Sequence, residues 1–552
     1  MDRLPRAVTL LTARVEGLKI PARDTAAATQ PTVRLDNGAF VGTVNGSVKR
    51  FLGIPFALPP TGNRRFRRPA ANRPYSGTHN ASAFGPSCPQ QASPAVIPDP
   101  VIAQVFNSLS SSSVNNTQAE DCLSLNIWAP ANATRGEKLP VLVWIYAGGF
   151  ENGQTAGFDG GVVVQRALNL GLPMIYVSMN YRLSLFGFLG GKEVKQAGVG
   201  NLGLHDQRQA LRWIQRYISA FGGDTNKVTI WGESAGAISV ASHMVAYGGN
   251  TQGLFHGAVM QSGSPIPTGD ITTNQPHYDA VVNETGCAGA ADTLQCLRGV
   301  SFASLQAAAN KSPGLFTPQS LNLEWLPLVD GDIFTEDPQV LVQKGSVANI
   351  PFITGDCDDE GTLFTLALTN LTTNNQTRNY LRSNYLPSAS DAQVDQVLKL
   401  YPEDPIVGSP FDTGIANAVT PQYKRLAAFQ GDLVFQAPRR FLLEQRSGKQ
   451  NAWSFLFKRG KLTPVLGTYH SSDLSGIYDS VDGNELKEYI IRFAVNFDPN
   501  GGKNLKWPKY TPDSPQLMTL LDGLIPLTLT NDTFRKEPMD FVTQLSLEFP
   551  LR

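Results

Sequence analysis

A serine suited to nucleophilic chemistry stands in Gly232-Glu233-Ser234-Ala235-Gly236, between an apolar run, Lys227-Val228-Thr229-Ile230-Trp231, and a segment from Ala235 to Tyr247 that reads as a helix. A strand entering a helix through a G-x-S-x-G turn lifts the hydroxyl off the sheet edge, because the glycines leave room for a sharp bend. The Ala235 N–H, opening the helix, then points toward the same spot as the serine oxygen. A hydroxyl is a weak nucleophile until a base takes its proton, so a histidine must follow, and in such sites the chain order is Ser, Asp or Glu, His. Of the six histidines, His79 and His205 precede Ser234, His243, His256 and His277 follow it closely, and only His470 lies far beyond it, toward the end of the chain. It sits in Gly467-Thr468-Tyr469-His470-Ser471-Ser472-Asp473, a loop after the strand-like run Trp453 to Phe457, where a general base could reach over a sheet.

The acid that orients the imidazole should leave a strand between Ser234 and His470. Ile350-Pro351-Phe352-Ile353-Thr354 reads as that strand, and Gly355-Asp356-Cys357-Asp358-Asp359-Glu360-Gly361-Thr362 follows it. Residue chemistry does not choose among Asp356, Asp358, Asp359 and Glu360, and those not used are expected to form a solvated acidic turn. Stabilising a tetrahedral oxyanion calls for N–H donors beyond Ala235, expected from a glycine turn after an earlier strand. Tyr146-Ala147-Gly148-Gly149-Phe150 fits, since paired glycines let backbone N–H groups approach a substrate without Cβ obstruction.

The elements that must hold these groups alternate. Leu139 to Tyr146 and Pro173 to Met179 are nearly all apolar, as central strands covered on both faces must be. Between Asp206 and Phe221, Ala210, Leu211, Ile214, Tyr217 and Ile218 recur at helical spacing, and Phe221-Gly222-Gly223 supplies a glycine stop. Upstream, Thr32 to Leu35 and Ala39 to Val44 flank Asp36-Asn37-Gly38, which predicts a hairpin at an antiparallel edge, with Asn37-Gly38 supplying the positive φ angles of a tight turn. Strands alternating with helices make the fold class α/β, a large, mostly parallel sheet with helices on both faces. Length alone suggests two domains, yet no long linker interrupts the chain, so the expectation is a poorly structured segment over residues 1–30 and one catalytic domain over 31–552.

Lys plus Arg and Asp plus Glu both total 46 of 552 residues, so net charge is zero, and no block of like charge forms the basic stripe that nucleic acid would require. Charged residues are 17% of the chain, a weakly charged surface suited to neutral, greasy substrates. No run of apolar residues is long enough for a transmembrane helix. Met1 to Arg14 starts basic, but its apolar run, Ala7 to Leu11, is too short for a secretory signal. Five cysteines and nine Asn-X-Ser/Thr acceptors, at Asn45, Asn80, Asn115, Asn132, Asn283, Asn310, Asn370, Asn375 and Asn531, point instead to secretion, with an atypical or misassigned start.

Taken together these motifs resemble the type-B carboxylesterase family, which also holds cholinesterases, and most closely its fungal lipase and sterol esterase branch. The likeness runs from about Val33 to the C-terminus through Phe51-Leu52-Gly53-Ile54-Pro55-Phe56-Ala57, Glu120-Asp121-Cys122-Leu123, Phe221-Gly222-Gly223, the Ser234 block, Asp359-Glu360-Gly361-Thr362 and Gly467-Thr468-Tyr469-His470. The resemblance implies an α/β-hydrolase fold, Glu360 as the acid, and Gly148, Gly149 and Ala235 as the oxyanion hole. It implies disulfides Cys88–Cys122 and Cys287–Cys296, with Cys357 free. It also implies hydrolysis of lipid-like neutral esters through an acyl-serine, with no metal or cofactor, at a lipid or micelle interface; the oligomeric state is left open, a homodimer included. One departure is Ala147, where the fungal lipases tend to carry a third glycine, and its methyl group is expected to bear on the acyl pocket rather than on the chemistry. Within the loop 88–122, Val101, Ile102, Val105, Phe106 and Leu109 fall on one helical face, and the corresponding loop of those lipases is a lid. The competing readings are a non-catalytic, cholinesterase-like binding protein, which loss of the serine or histidine would mark, and an esterase dedicated to one natural product.

Overall fold

The computed structural model describes residues 30–92, 95–97, 100, 103–104, 116–479 and 483–551. The five expected lid residues, Val101, Ile102, Val105, Phe106 and Leu109, lie outside the described residues, as does the N-terminal segment through residue 29.

The strands begin with β1 (Thr32–Leu35), β2 (Asn37–Val41), β3 (Thr43–Asn45), β4 (Val48–Pro55), β5 (Ser76–Asn80), β6 (Ser124–Pro130) and β7 (Leu139–Ile145). They continue with β8 (Ile175–Met179), β9 (Gly223–Glu233), β10 (Gly257–Gln261), β11 (Phe352–Cys357), β12 (Ala452–Phe457), β13 (Gln516–Leu520) and β14 (Leu527–Asn531). Eleven of them form one sheet in the order β14-β13-β12-β11-β10-β9-β7-β8-β6-β4-β3, and β1, β2 and β5 form a small second sheet. From β8 across to β13 every neighbouring pair is parallel, while β3, β4 and β6 at one margin and β14 at the other are antiparallel.

Every residue of β6, β7, β8, β10, β11 and β12 is buried, which near-continuous apolar strands achieve only with cover on both faces. The helices Gly160–Asn169, Ala235–Gly249 and Glu485–Asn496 pack against these strands. Because β7, β9, β11 and β12 run parallel, the loops leaving their C-terminal ends all emerge at one edge of the sheet. The Gly148, Ser234, Glu360 and His470 segments are those four loops.

Local details depart from the sequence reading for physical reasons. In the β1–β2 hairpin the left-handed backbone falls on Asp36 (φ 49), not on Gly38. Gly38 is needed for space instead, since a Cβ there would lie 2.9 Å from Tyr75 Cβ. The helix expected from Asp206 begins earlier, spanning Leu202–Tyr217, and buries Asp206, whose carboxylate accepts from Arg182 Nε at 2.7 Å and Nη2 at 2.7 Å. An ion pair turned inward looks like surface in the sequence.

Candidate active site

The turn after β9 is built on contacts too close for side chains. A Cβ at Gly232 would lie 2.3 Å from Gly236 C, and one at Gly236 would lie 2.0 Å from Ile145 O. Ser234 takes φ 55 and ψ −125, a conformation L residues rarely adopt, and its N–H is anchored to Gln261 O at 2.9 Å on β10. The helix Ala235–Gly249 starts immediately, so the Ala235 N–H is one of the first-turn donors with no intrahelical acceptor. The helix keeps regular geometry only to Val245, because Ala246, Tyr247 and Gly248 have non-helical φ/ψ.

Ser234 Oγ lies 2.8 Å from His470 Nε2, and His470 Nδ1 is hydrogen-bonded to Glu360 Oε2. Glu360 Oε1 accepts from Cys357 N at 2.7 Å, which fixes the carboxylate against the end of β11. Ser234 and His470 are 9% and 4% exposed, so this chain of contacts is shielded from bulk water yet reachable at its serine end. The rings of Phe435 and Phe364 pack on the imidazole with centroids 4.6 and 5.0 Å away, and Phe316 stacks on Phe364 at 6.1 Å.

Gly148 (φ 114) and Gly149 (φ 62) both need left-handed backbone, and a Cβ on Gly148 would lie 2.1 Å from Asn152 O. Their turn is held by Tyr146 and Tyr181, which stack at 4.5 Å and exchange bonds, each hydroxyl donating to the other's carbonyl at 3.1 and 3.0 Å. Among the described residues neither Gly148 N–H nor Gly149 N–H donates to a protein acceptor, which leaves both for a ligand. A Cβ on Gly149 would meet only Leu323 Cδ1 at 3.3 Å and Leu315 Cδ2 at 3.4 Å, so this side of the turn faces apolar side chains. Ala147 stays outside the left-handed region, and its methyl therefore costs no backbone strain.

The acidic loop corrects one expectation. Asp356, Asp358 and Asp359 do not form a solvated turn, since they are 0%, 4% and 0% exposed. Asp356 accepts from Arg439 Nε at 2.8 Å, and Asp358 and Asp359 both pair with Lys461. Of the four carboxylates in this loop, only Glu360 bonds to the histidine.

Two groups that the sequence reading passed over complete the electrostatics. Glu233 Oε1 accepts from Ser471 Oγ at 2.6 Å and lies 3.5 Å from His470 Nε2, and Asp473 Oδ2 accepts from Gln261 Nε2 at 2.6 Å. Their positions, one inside the serine motif and one three residues after the histidine, were the available signal. Burial alone would push the imidazole pKa of His470 down, but the charge and hydrogen bond of Glu360, helped by Glu233 and Asp473, hold it up at about 9. Burial pushes the Glu233 carboxyl up to about 8 and the Asp473 carboxyl up to about 6. Phe364 and Phe435 carried no sequence signal, since their place beside the imidazole is purely tertiary.

The cysteines pair as Cys88–Cys122 and Cys287–Cys296, and Cys357 is free and buried. No helix among the described residues is long and apolar enough to cross a membrane.

A serine on a strand-turn-helix bend, met by a histidine and a carboxylate from later loops at the C-terminal edge of a parallel sheet, defines the α/β-hydrolase class. Comparison with known proteins narrows this. The carboxylesterase family model matches residues 29–541. The chain is 40% identical to the secreted triacylglycerol lipase LIP1 of Gibberella zeae over 532 residues, covering 93% of this chain and 90% of that one. It is 41% identical to Lipase 4 of Diutina rugosa, covering 93% and 96%, and 40% identical to Lipase 1 of Geotrichum candidum, covering 92% and 94%. Among solved structures it superposes on Aspergillus niger EstA with a TM-score of 0.78 at 26% identity, covering 94% of this chain and 99% of that one. The chain belongs to the carboxylesterase family and is a carboxylic-ester hydrolase.

Proposed function

We propose that this protein is a secreted lipase-type esterase that cleaves neutral, lipid-like esters, acylglycerols foremost, through an acyl-serine intermediate formed on Ser234. His470 Nε2 takes the Ser234 proton as Oγ attacks the ester carbonyl, and Glu360 holds the imidazole in the tautomer with Nδ1 protonated. The N–H groups of Gly148, Gly149 and Ala235 receive the oxyanion that forms. His470 then protonates the departing alcohol, and a water activated by the same nitrogen releases the acid. Residues 31–552 act as the one catalytic domain in this reading.

The observation that carries the proposal is the unbroken contact series Ser234 Oγ to His470 Nε2 at 2.8 Å and on from Nδ1 to Glu360, set against an apolar wall. That wall explains the substrate class. Phe364 and Phe435 pack on His470, Phe316 stacks on Phe364, Leu315 and Leu323 lie beside Gly149, and Ala95 and Ile97, at the start of the expected lid segment, pack, as Phe316 does, against the buried cluster of Leu366, Tyr423 and Leu466. The triacylglycerol specificity in the name of the Gibberella zeae relative favours acylglycerols over steryl esters. Both Ser234 and His470 are present and in contact, which favours an enzyme over a non-catalytic binding protein.

The test is turnover of tributyrin, triolein, a steryl oleate and p-nitrophenyl butyrate by the wild type and by Ser234→Ala. Triolein and tributyrin should be cleaved fastest, and Ser234→Ala should lose several powers of ten on all four, on the order of 10⁴–10⁶. Retained activity in Ser234→Ala would overturn the nucleophile. Preference for the steryl ester, or no cleavage of any lipid ester, would overturn the substrate class.

A further inference from the structure

Asp359, adjacent to the proposed acid, has no contact with the histidine side chain, yet it ties together the loops around it. Its carboxylate is fully buried and receives four donors: Thr468 N at 2.8 Å, Lys461 Nζ at 2.7 Å, Phe411 N at 2.7 Å and Ser409 Oγ at 3.1 Å. Thr468 precedes His470 by two residues, and the Asp359 N–H returns the contact by donating to Thr468 O at 3.0 Å. Asp359 and Tyr469 thus form a short parallel bridge between the acid loop and the histidine loop. Thr362 Oγ1 adds a second tie, donating to Asp359 O at 2.9 Å and to Leu466 O at 2.8 Å.

The backbone is shaped to admit this carboxylate. Gly467 has φ 61, and a Cβ there would lie 2.4 Å from Asp359 Oδ2 and 2.7 Å from Pro410 Cβ. A glycine is therefore needed where the histidine loop closes on the aspartate. The unpaired side of a carboxylate would be costly in such a buried place, and here the bonds to backbone N–H groups, a hydroxyl and an ammonium use both oxygens.

We infer that Asp359 is a positioning residue for the hydrolytic reaction: through Thr468 and the Gly467 turn it sets where the His470 imidazole stands between Ser234 and Glu360. The inference rests on His470 being the general base. An asparagine in its place offers one acceptor oxygen and turns an NH₂ group toward two of the four donors, so the histidine loop relaxes away without any loss of a reacting group. A displacement of about 1 Å in a reacting group costs on the order of 10²-fold in rate.

The test uses the full chain, p-nitrophenyl butyrate as a small soluble substrate, and active-site titration with a p-nitrophenyl phosphonate to count competent serines. Asp359→Asn should lower kcat per titrated site by about 10- to 100-fold while KM stays within about twofold. Gly467→Ala, which presses on Oδ2 from the other side, should show the same signature and serves if Asp359→Asn does not fold. A kcat per titrated site within twofold of wild type in the folded variant overturns the inference, as does a loss confined to the number of titratable sites, which marks a purely structural aspartate. His470→Ala separates the two levels. If it is inactive while Asp359→Asn is fully active, only the positioning role falls; if it is active, the base assignment falls and takes the inference with it.

Discussion

Two buried charge clusters draw on the end of β11 and the loop that follows it, one through Asp356 and the other through Glu360, and they are composed differently. Around His470 stand Glu360, Glu233 and Asp473, three carboxyl groups facing one imidazole. Around Asp532 stand Arg439 and Arg440, with Asp356, Ser454, Gln436 and Tyr510 adding further hydrogen bonds. The second sets two carboxylates against two guanidinium groups: Asp532 is held far below the usual carboxylate range, against the opposing pull of burial, by its two arginines, while burial, opposed by Arg439, pushes the Asp356 carboxyl up to about 7. The first is unbalanced, so some of its members keep protons near neutral pH and the imidazole keeps its own to about 9. A buried carboxylate clasped by two guanidinium groups, as Asp532 is, is a fixed fastening, whereas carboxyl groups crowded around one imidazole exchange protons in a pH range where catalysis can use them.

The largest effect that sharpens this contrast is expected from Glu360→Gln, which keeps the shape of the site and removes the charge that orients the imidazole. It should lower kcat by about 10⁴-fold with little change in melting temperature, measured on p-nitrophenyl butyrate and by circular dichroism. The mirror experiment is Asp532→Ala, which strands two buried guanidinium groups. Unfolding free energy should drop by about 3–5 kcal/mol in urea titration, while kcat per titrated site below the transition stays near wild type. If the two variants exchange these signatures, the division into a working and a fastening cluster is wrong.

The pH profile follows from the signs of the shifts. Only the neutral imidazole can accept the Ser234 proton, so turnover should rise with pH along a limb centred above 6.5, toward 9. Over the same interval stability should fall. With a folded-state pKa raised above 6.5, His470 contributes stability that is complete below 6.5 and is lost as pH climbs through about 9, and the raised Glu233 acts in the same direction. Melting curves from pH 6 to 9 should show this slope in the wild type and a shallower one in His470→Ala. A turnover limb at or below 6.5 would mean that the three carboxyl groups do not act on His470 as the geometry requires.

The smallest effect is expected from Glu233→Gln. Its carboxyl already holds a proton at neutral pH, so the amide should cost less than about tenfold in kcat and move the acid limb down by less than about one pH unit. A loss as large as that of Glu360→Gln would give the second carboxylate a share in the chemistry comparable to that of the first.

The serine turn was legible because all its determinants are contiguous: an apolar strand, two glycines that must approach backbone closely, and a helix start. His470 was legible by chain order, being the one histidine beyond residue 277. The parallel sheet was legible from strands that are apolar throughout, and family resemblance singled out Glu360 and the cysteine pairs. The hairpin was found but its left-handed residue was misplaced, because the steric demand on Gly38 comes from Tyr75, thirty-seven positions away.

What the sequence determined by itself was therefore which residues stand as the proposed nucleophile and base and the edge of the sheet at which they meet, since period, glycine placement and order are local properties. What only the tertiary structure decided was the division of labour among the carboxylates. Asp356 turns to Arg439, Asp358 and Asp359 to Lys461, and Glu360 to His470, and each of those partners arrives from a segment at least eighty residues downstream. A carboxylate's role is set by the charge it faces and the water it loses, and neither quantity exists until the chain has folded.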